Sequence, residues 1–260
     1  MTLRTVNVTR YITPLREGGS LPALADADDG FKYVIKFRGA GHGPKALISE
    51  LIGGLVAHRL KLRLPELVFV ELDEAFGQTE GDEEIQDLLQ ASRGLNLGLH
   101  FLSGALTFDP VTSIVDGRTA SIIVWMDAFL TNVDRTVRNT NMLMWHKELW
   151  LIDHGATLYF HHTWTNWEKA ALSPFPMVKD HVLLRWADQL QAVNDEIKSL
   201  LTPEFLRMVV DAIPESWAET AETGLSAAEV REVYYQFLTR RIEHSDNFLN
   251  EAIHARQALV

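Results

Sequence analysis

Cysteine is absent from this chain of 260 residues. That absence excludes disulfides, thiolate catalysis and cysteine-built zinc sites together, and it fits a reducing, cytoplasmic compartment. Positive charge is scarce: the formal net charge is −11, which argues against a dedicated nucleic-acid binder, since such proteins carry a basic surplus. No stretch comes near the roughly 20 consecutive apolar residues of a membrane span. The first residues, MTLRTVNVTRYITPL, have no apolar core behind their basic residues, so a secretory signal is not expected. Internal repeats and low-complexity segments are missing as well. What is present is a globular composition, 47% apolar, in a length sufficient for one large domain or two lobes with a sizeable core.

Acids and amides concentrate in one stretch, TNVDRTVRNTNMLMWHKELWLIDHG, from Thr131 to Gly155. Asp134 and Asn139 lie in a run too polar to be a buried strand. Met142 to Trp145 and Leu149 to Ile152 are short apolar runs around a turn at His146, Lys147 and Glu148, and Asp153-His154-Gly155 follows. Asp and Asn are common in turns because their side chains bond their own backbone, so composition alone reads as a turn-rich hairpin. Order and spacing add a chemical reading. Phosphoryl transfer on a divalent metal needs one carboxylate to take a hydroxyl proton, and an amide oxygen plus a second carboxylate to hold Mg²⁺ against nucleotide phosphates. Asp134 is then the candidate base, with Asn139 and Asp153 the candidate metal ligands.

The N-terminal part reads as an antiparallel meander. Thr5 to Leu15 alternates and is β-branched, Arg16 to Ser20 is a glycine turn, Leu21 to Ala25 returns, and Phe31 to Phe37 is a strand centred on Tyr33-Val34-Ile35. Lys36 ends that strand. Glu50 falls in a helix from about Pro44 to Leu60 with an apolar face of Leu47, Leu51, Ile52, Leu55 and Val56. A strand lysine paired with an acid of the next helix is the arrangement that aims a lysine at nucleotide phosphates; a surface pair without a role is the plain alternative. The loop Arg38 to Lys45 has three glycines but not the Gly-Lys-Ser/Thr ending of a Walker loop, and reads as a flexible connector. Glu66 to Leu72 is a further strand, Phe76 to Asp82 a polar loop, and Glu83 to Ser92 a helix. Leu95 to Phe108 alternates loosely and leads into a connector at His100 to Gly104.

Pro110 to Gly117 reads as a linker and Thr119 to Leu130 as a buried helix. Asp127 within it is read as a helix polar position or a partner of the following loop in preference to a catalytic acid. His161 and His162 are adjacent, without HExxH spacing or cysteines nearby, which argues against zinc. With Trp164, Trp167 and Phe175 they read as a packed cap or a cleft wall. Lys179 to Leu201 has helical spacing, Thr202-Pro203-Glu204 starts another helix, and Ser226 to Glu229 is a capping box before a final helix of about Ala227 to Ala255. Strands first and helices last give an α+β class.

Taken together, LREGGSLPAL with YVIKFRGAGHGPKALISEL, and TNVDRTVRNTN followed by LWLIDHGA, resemble the HipA-like kinases, a bacterial branch of the protein-kinase-like fold. The likeness covers residues 11 to about 160. It implies a two-lobed molecule, with residues 1–103 a nucleotide-binding lobe of mixed or antiparallel sheet and residues 104–260 a mainly helical catalytic lobe. Gly18, Gly19 and Ser20 would cover the phosphates. Lys36, held by Glu50, would contact the α- and β-phosphates, and Phe101 and Leu102 in the connector would meet the adenine. Asp134 would be the base, Asn139 and Asp153 the Mg²⁺ ligands, and Arg135, Arg138 and Asn141 the braces of the loop. Val-Asp-Arg stands where many protein kinases have His-Arg-Asp, and Asp-His-Gly where they have Asp-Phe-Gly; the roles need the carboxylate and not its neighbours. The chain is shorter than full-length HipA toxins and is expected to lack their additional N-terminal domain. The expected function is an ATP- and Mg²⁺-dependent kinase acting on a protein Ser or Thr hydroxyl, without a nucleic-acid partner. A non-catalytic nucleotide- or partner-binding module and a small-molecule or lipid kinase are the alternatives.

Overall fold

The computed structural model describes residues 3–15, 21–41, 43–73, 82–219 and 223–259. Five strands, β1 (Thr5–Pro14), β2 (Ala23–Ala27), β3 (Lys32–Lys36), β4 (Leu67–Leu72) and β5 (Gly94–His100), form a closed barrel in the order β1-β2-β3-β5-β4. The expected meander holds from β1 to β3. Beyond that the order departs from it, because β3 pairs with β5, and β4 lies outside β5. The ring closes by a parallel pairing of Thr5–Asn7 with Phe69–Glu71, which no local pattern encodes. The barrel interior is filled by alternate residues such as Tyr33, Ile35, Val68 and Val70. The Arg16 to Ser20 turn and most of the loop from Phe76 lie outside the described residues.

Helix α1 (Pro44–Arg59) follows β3. Its apolar face belongs to the same buried cluster as the later helices, so α1 packs between barrel and helices. Helix α2 (Glu83–Ala91) is capped by Asp82, whose carboxylate accepts the N–H groups of Glu84 and Ile85. The loop after β3 is pinned and not a free connector. Arg38 N–H donates to Asn96 Oδ1 at 2.9 Å and Gly39 N–H to Ser92 Oγ at 3.1 Å.

Strand β6 (Leu106–Thr107) joins a hairpin, β7 (Met142–Trp145) and β8 (Glu148–Leu151), in a three-stranded sheet. Between them α3 (Gly117–Leu130), N-capped by Asp116, runs almost wholly buried through the second half of the molecule. The chain continues through α4 (Trp167–Ala171), α5 (Leu190–Leu200), α6 (Pro203–Asp211), α7 (Glu215–Ala218), α8 (Ala227–Glu243) and α9 (Ser245–Gln257). The capping box at Ser226 forms as expected.

Two helices are shorter than their periodicity predicts. The run from Lys179 contains 3₁₀ turns at Pro176–Asp180 and Leu184–Trp186, and only Leu190–Leu200 is α-helical. Extended backbone at His181, whose ring accepts the Leu183 N–H, interrupts it; the apolar spacing reflects burial of short turns. The final helix is likewise divided at His244, where φ −110° and ψ 32° leave the helical range, turning α9 back against α3.

Arg241 of α8 is fully buried and has no carboxylate partner among the described residues. Its guanidinium donates to the carbonyls of Ala128 and Phe129 at the end of α3, and to those of Ala170, Ala171 and Ser173 around α4. Most of these carbonyls belong to the last turns of α3 and α4; those of Ala128 and Ala170 also accept the N–H groups of Thr131 and Ser173, and a cation at a helix C-terminus is favoured by the helix dipole. Arg241→Met is expected to lower unfolding stability by about 3 kcal/mol, since each orphaned buried carbonyl costs roughly 1–3 kcal/mol. The midpoint of a urea titration measures it.

Candidate active site

Strand β3 delivers Lys36 into the interior and α1 delivers Glu50 opposite it. Lys36 Nζ donates to Glu50 Oε2 at 2.7 Å and to Asp153 Oδ1 at 2.6 Å. Glu50 is 0% exposed and also accepts the His154 N–H at 2.7 Å. Burial alone would push the Lys36 ammonium toward neutrality, but the charges of Glu50 and Asp153 outweigh it and hold its pKa above the usual lysine value. Burial would likewise raise the Glu50 carboxyl. Lys36 and the His154 side chain, whose Nδ1 lies 3.6 Å from Glu50 Oε1, reverse that and hold it well below the ordinary carboxylate range. The expected lysine–glutamate pair is therefore present, and the pair is buried.

The close approach of α1 to the Asp153-His154-Gly155 corner depends on Gly53. A Cβ there would stand 2.4 Å from His154 Cβ, inside contact distance. Gly53 had no signal in the sequence beyond being a glycine inside a helix. Asp153 itself takes a left-handed backbone, φ 53°, at the end of the hairpin, and its Oδ1 also accepts the Gly155 N–H at 3.1 Å.

The loop after α3 is built around a second acid. Asp134 Oδ2 accepts Asn139 Nδ2 at 2.7 Å and Asn141 Nδ2 at 3.2 Å, and its backbone N–H donates to Asn132 Oδ1 at 3.1 Å. Arg135 is fully buried; its Nε donates to Asp127 Oδ2 at 2.6 Å and its Nη1 to the carbonyl of Asn141 at 2.5 Å. The Ile152 N–H bonds the Asn141 carbonyl at 3.0 Å, which ties the residue before Asp153 to the loop that carries Asn139. Arg135 and Asn141 brace the loop as expected. Arg138 does not: it is exposed and has no hydrogen-bond or ion-pair partner among the described residues. Asp127 bonds to the following loop, and Asn132 and His181, given no role by the sequence reading, complete its surroundings.

Asp134 Oδ1, Asn139 Oδ1 and Asp153 Oδ2 have no partner among the described residues. Carboxylate and amide oxygens suit a hard divalent cation. No group of three or more His, Cys, Asp or Glu that could hold a metal ion occurs among the described residues. In the connector, Phe101 N–H donates to the Lys32 carbonyl at 2.8 Å and Leu102 is buried. Gly18, Gly19 and Ser20 lie outside the described residues. The histidine pair is part of a packed cap: His161 Nδ1 bonds Tyr234 OH at 2.9 Å and Phe160 stacks on Phe237.

A protein-family model described as HipA-like kinase matches residues 8–251. The chain belongs to this family. A HipA-like kinase is a phosphotransferase, and the fold agrees. A Helicobacter pylori proinflammatory kinase, CtkA, superposes with a TM-score of 0.56 at 14% identity, covering 98% of this chain and 100% of that one. At that identity the likeness speaks for a protein-kinase-like fold of mixed strands and helices alone. A Golgi casein kinase structure with Mn and ADP bound aligns more distantly, with a TM-score of 0.45 at 12% identity, over 98% of this chain and 74% of that chain. No curated protein sequence matches this HipA-like kinase. No helix among the described residues is long and apolar enough to cross a membrane.

Proposed function

We propose that this HipA-like kinase uses ATP and Mg²⁺ to phosphorylate a Ser or Thr hydroxyl of a protein. One observation carries the reading: the buried Lys36–Glu50 pair reaches Asp153, while Asp134 and Asn139 are hydrogen-bonded to each other on the adjoining loop. In this reading residues 1–103 form the nucleotide lobe and residues 104–260 the catalytic lobe. The connector backbone at Phe101 and Leu102 meets the adenine, Gly18 to Ser20 cover the phosphates, and Lys36 contacts the α- and β-phosphates. Asn139 and Asp153 hold Mg²⁺, which when bound neutralises charge on the phosphate oxygens.

Asp134 has the central chemical role. With Oδ2 committed to Asn139 and Asn141, its Oδ1 is the atom left to orient an acceptor hydroxyl. The hydroxyl oxygen bonds to the γ-phosphorus as the bond to the β–γ bridging oxygen breaks, ADP departs, and the hydroxyl proton passes to Asp134 Oδ1. Asn139 and Asn141 keep the carboxylate from turning away, which is positional help of the kind a fixed base needs.

Asp134→Asn is expected to cut transfer roughly 10²–10⁴-fold, the usual worth of a positioned general base, with nucleotide affinity little changed. Incubation with γ-labelled ATP, Mg²⁺ and dephosphorylated casein, beside a fluorescent-nucleotide titration, reads both. Label transfer undiminished in the variant would overturn the reading.

A further inference from the structure

We infer that Asp127, through His181, is a positioning group that fixes the base-bearing loop against the segment 176–186, and that His181 is a positioning residue for the acceptor and not for the nucleotide. This rests on the phosphotransfer reading above.

Asp127 is an anomaly in its helix. It lies in the last turn of α3, where the helix dipole disfavours negative charge, and it is wholly buried. Burial alone would raise its carboxyl, but the Arg135 charge and the His181 and Asn132 hydrogen bonds hold it well below the ordinary range. A charge placed so unfavourably is retained by what it holds. Oδ1 accepts Asn132 Nδ2 at 2.9 Å; Oδ2 accepts Arg135 Nε at 2.6 Å and His181 Nε2 at 2.9 Å.

Each donor leads to a different part of the site. Asn132 passes on to the Asp134 N–H, so it sets the backbone of the base. Arg135 passes on to the Asn141 carbonyl, and from there to Ile152 beside Asp153. His181 passes on to a segment that is remote in sequence and lies alongside the loop: Thr136 forms a bridge with His181, and the Val182 N–H donates to the Arg135 carbonyl at 3.1 Å. The ring is held from both sides. Its Nδ1 accepts the Leu183 N–H at 3.0 Å, which places the ring proton on Nε2, where it is donated to Asp127. Met177, Lys179 and Arg185 project outward from the same segment, and Arg185 also reaches the Pro110 carbonyl. The segment thus has an exposed outer side next to the base-bearing loop and is fastened to that loop by two backbone links and by one buried imidazole, its side-chain tie to Asp127. Among the described residues Lys36, Glu50 and the connector have no hydrogen bond to His181; the link from Asp127 toward the nucleotide side runs through Arg135 and Asn141 to Ile152, not through the imidazole.

The test compares His181→Ala and His181→Gln with the wild-type chain. Steady-state rates are measured with dephosphorylated casein as acceptor, and with water as acceptor through ATP hydrolysis. The Ala variant is expected to lose tenfold or more in kcat/KM for casein and clearly less in the hydrolysis rate, with the KM for ATP within about twofold. Gln, whose amide can still donate to Asp127, is expected to recover part of the loss. A purely structural role would lower the folded fraction and reduce both reactions equally, and that result overturns the inference. A second measurement does not depend on catalysis. Hydrogen exchange in the Ala variant is expected to quicken in both 134–141 and 181–186 while 44–60 is unchanged; quickening confined to 181–186 also overturns it. A wild-type chain that transfers no phosphate would refute the phosphotransfer reading, and the exchange pattern would still decide the pin.

Discussion

Glu50→Ala is expected to destabilise the chain by about 3–5 kcal/mol and to abolish phosphate transfer. Removing one partner of a buried pair leaves the other as an uncompensated charge, and that is the costly event, not the loss of the bond itself. Lys36 would retain Asp153, which places the effect toward the lower end of the range, but the His154 N–H would lose its acceptor as well. Urea titration followed by tryptophan fluorescence measures the loss. Glu50→Gln keeps the shape and removes only the charge, and is expected to fall between wild type and Ala.

The same pair sets a pH dependence. A carboxyl whose folded pKa is depressed contributes stability that is complete above its unfolded value, here 4.5, and is lost as pH falls through the folded value. Lys36, raised in the fold, works in the opposite sense: its contribution is complete below 10.5 and is lost as pH rises through its folded value. Glu50→Gln should therefore flatten the acid side of the stability profile below about pH 4.5 and leave the neutral plateau lower but level.

Gly53→Ala is expected to be nearly as damaging, for a steric reason. Alanine is the better helix former by roughly 0.8–1 kcal/mol, so an isolated helix would gain. Here the added methyl would meet His154 Cβ at 2.4 Å, and a Cβ cannot rotate aside as the end of a long side chain can. Either α1 or the Asp153 corner must move, which costs about 1–3 kcal/mol and pulls Glu50 away from the His154 backbone. Transfer is expected to fall at least tenfold. The double change Gly53→Ala with His154→Gly removes the clash and should recover stability beyond the sum of the two single effects, a coupling read from a double-mutant cycle.

These two positions mark what the sequence could and could not disclose. Lys36, Glu50, Asp134, Asn139 and Asp153 could be singled out because the proposed roles each demand a particular functional group in a particular order, and the fold joins them by hydrogen bonds into two neighbouring groups. Gly53 was not, since a glycine within a helical pattern carries no record of the neighbour it admits. Asp127 and His181 meet only after the chain has turned back on itself, and no spacing announces that. The breaks at His181 and His244 were hidden for a related reason: burial of short turns and of two successive helices leaves the same apolar rhythm as one long helix. Arg138 was misassigned because it stands among bracing residues, and sequence proximity does not fix where a long side chain points.

The parallel seam between β1 and β4 bears on how this molecule is made. Residues 5–7 pair with residues 69–71, so this opening segment of β1 has no partner there until the intervening chain is synthesised. The loop entropy of that delay grows only logarithmically, but the contact is non-local and forms late. Until it does, β4 offers a bare edge to other chains. Nascent molecules of this kinase are therefore expected to stay adhesive along β4 until the ring shuts.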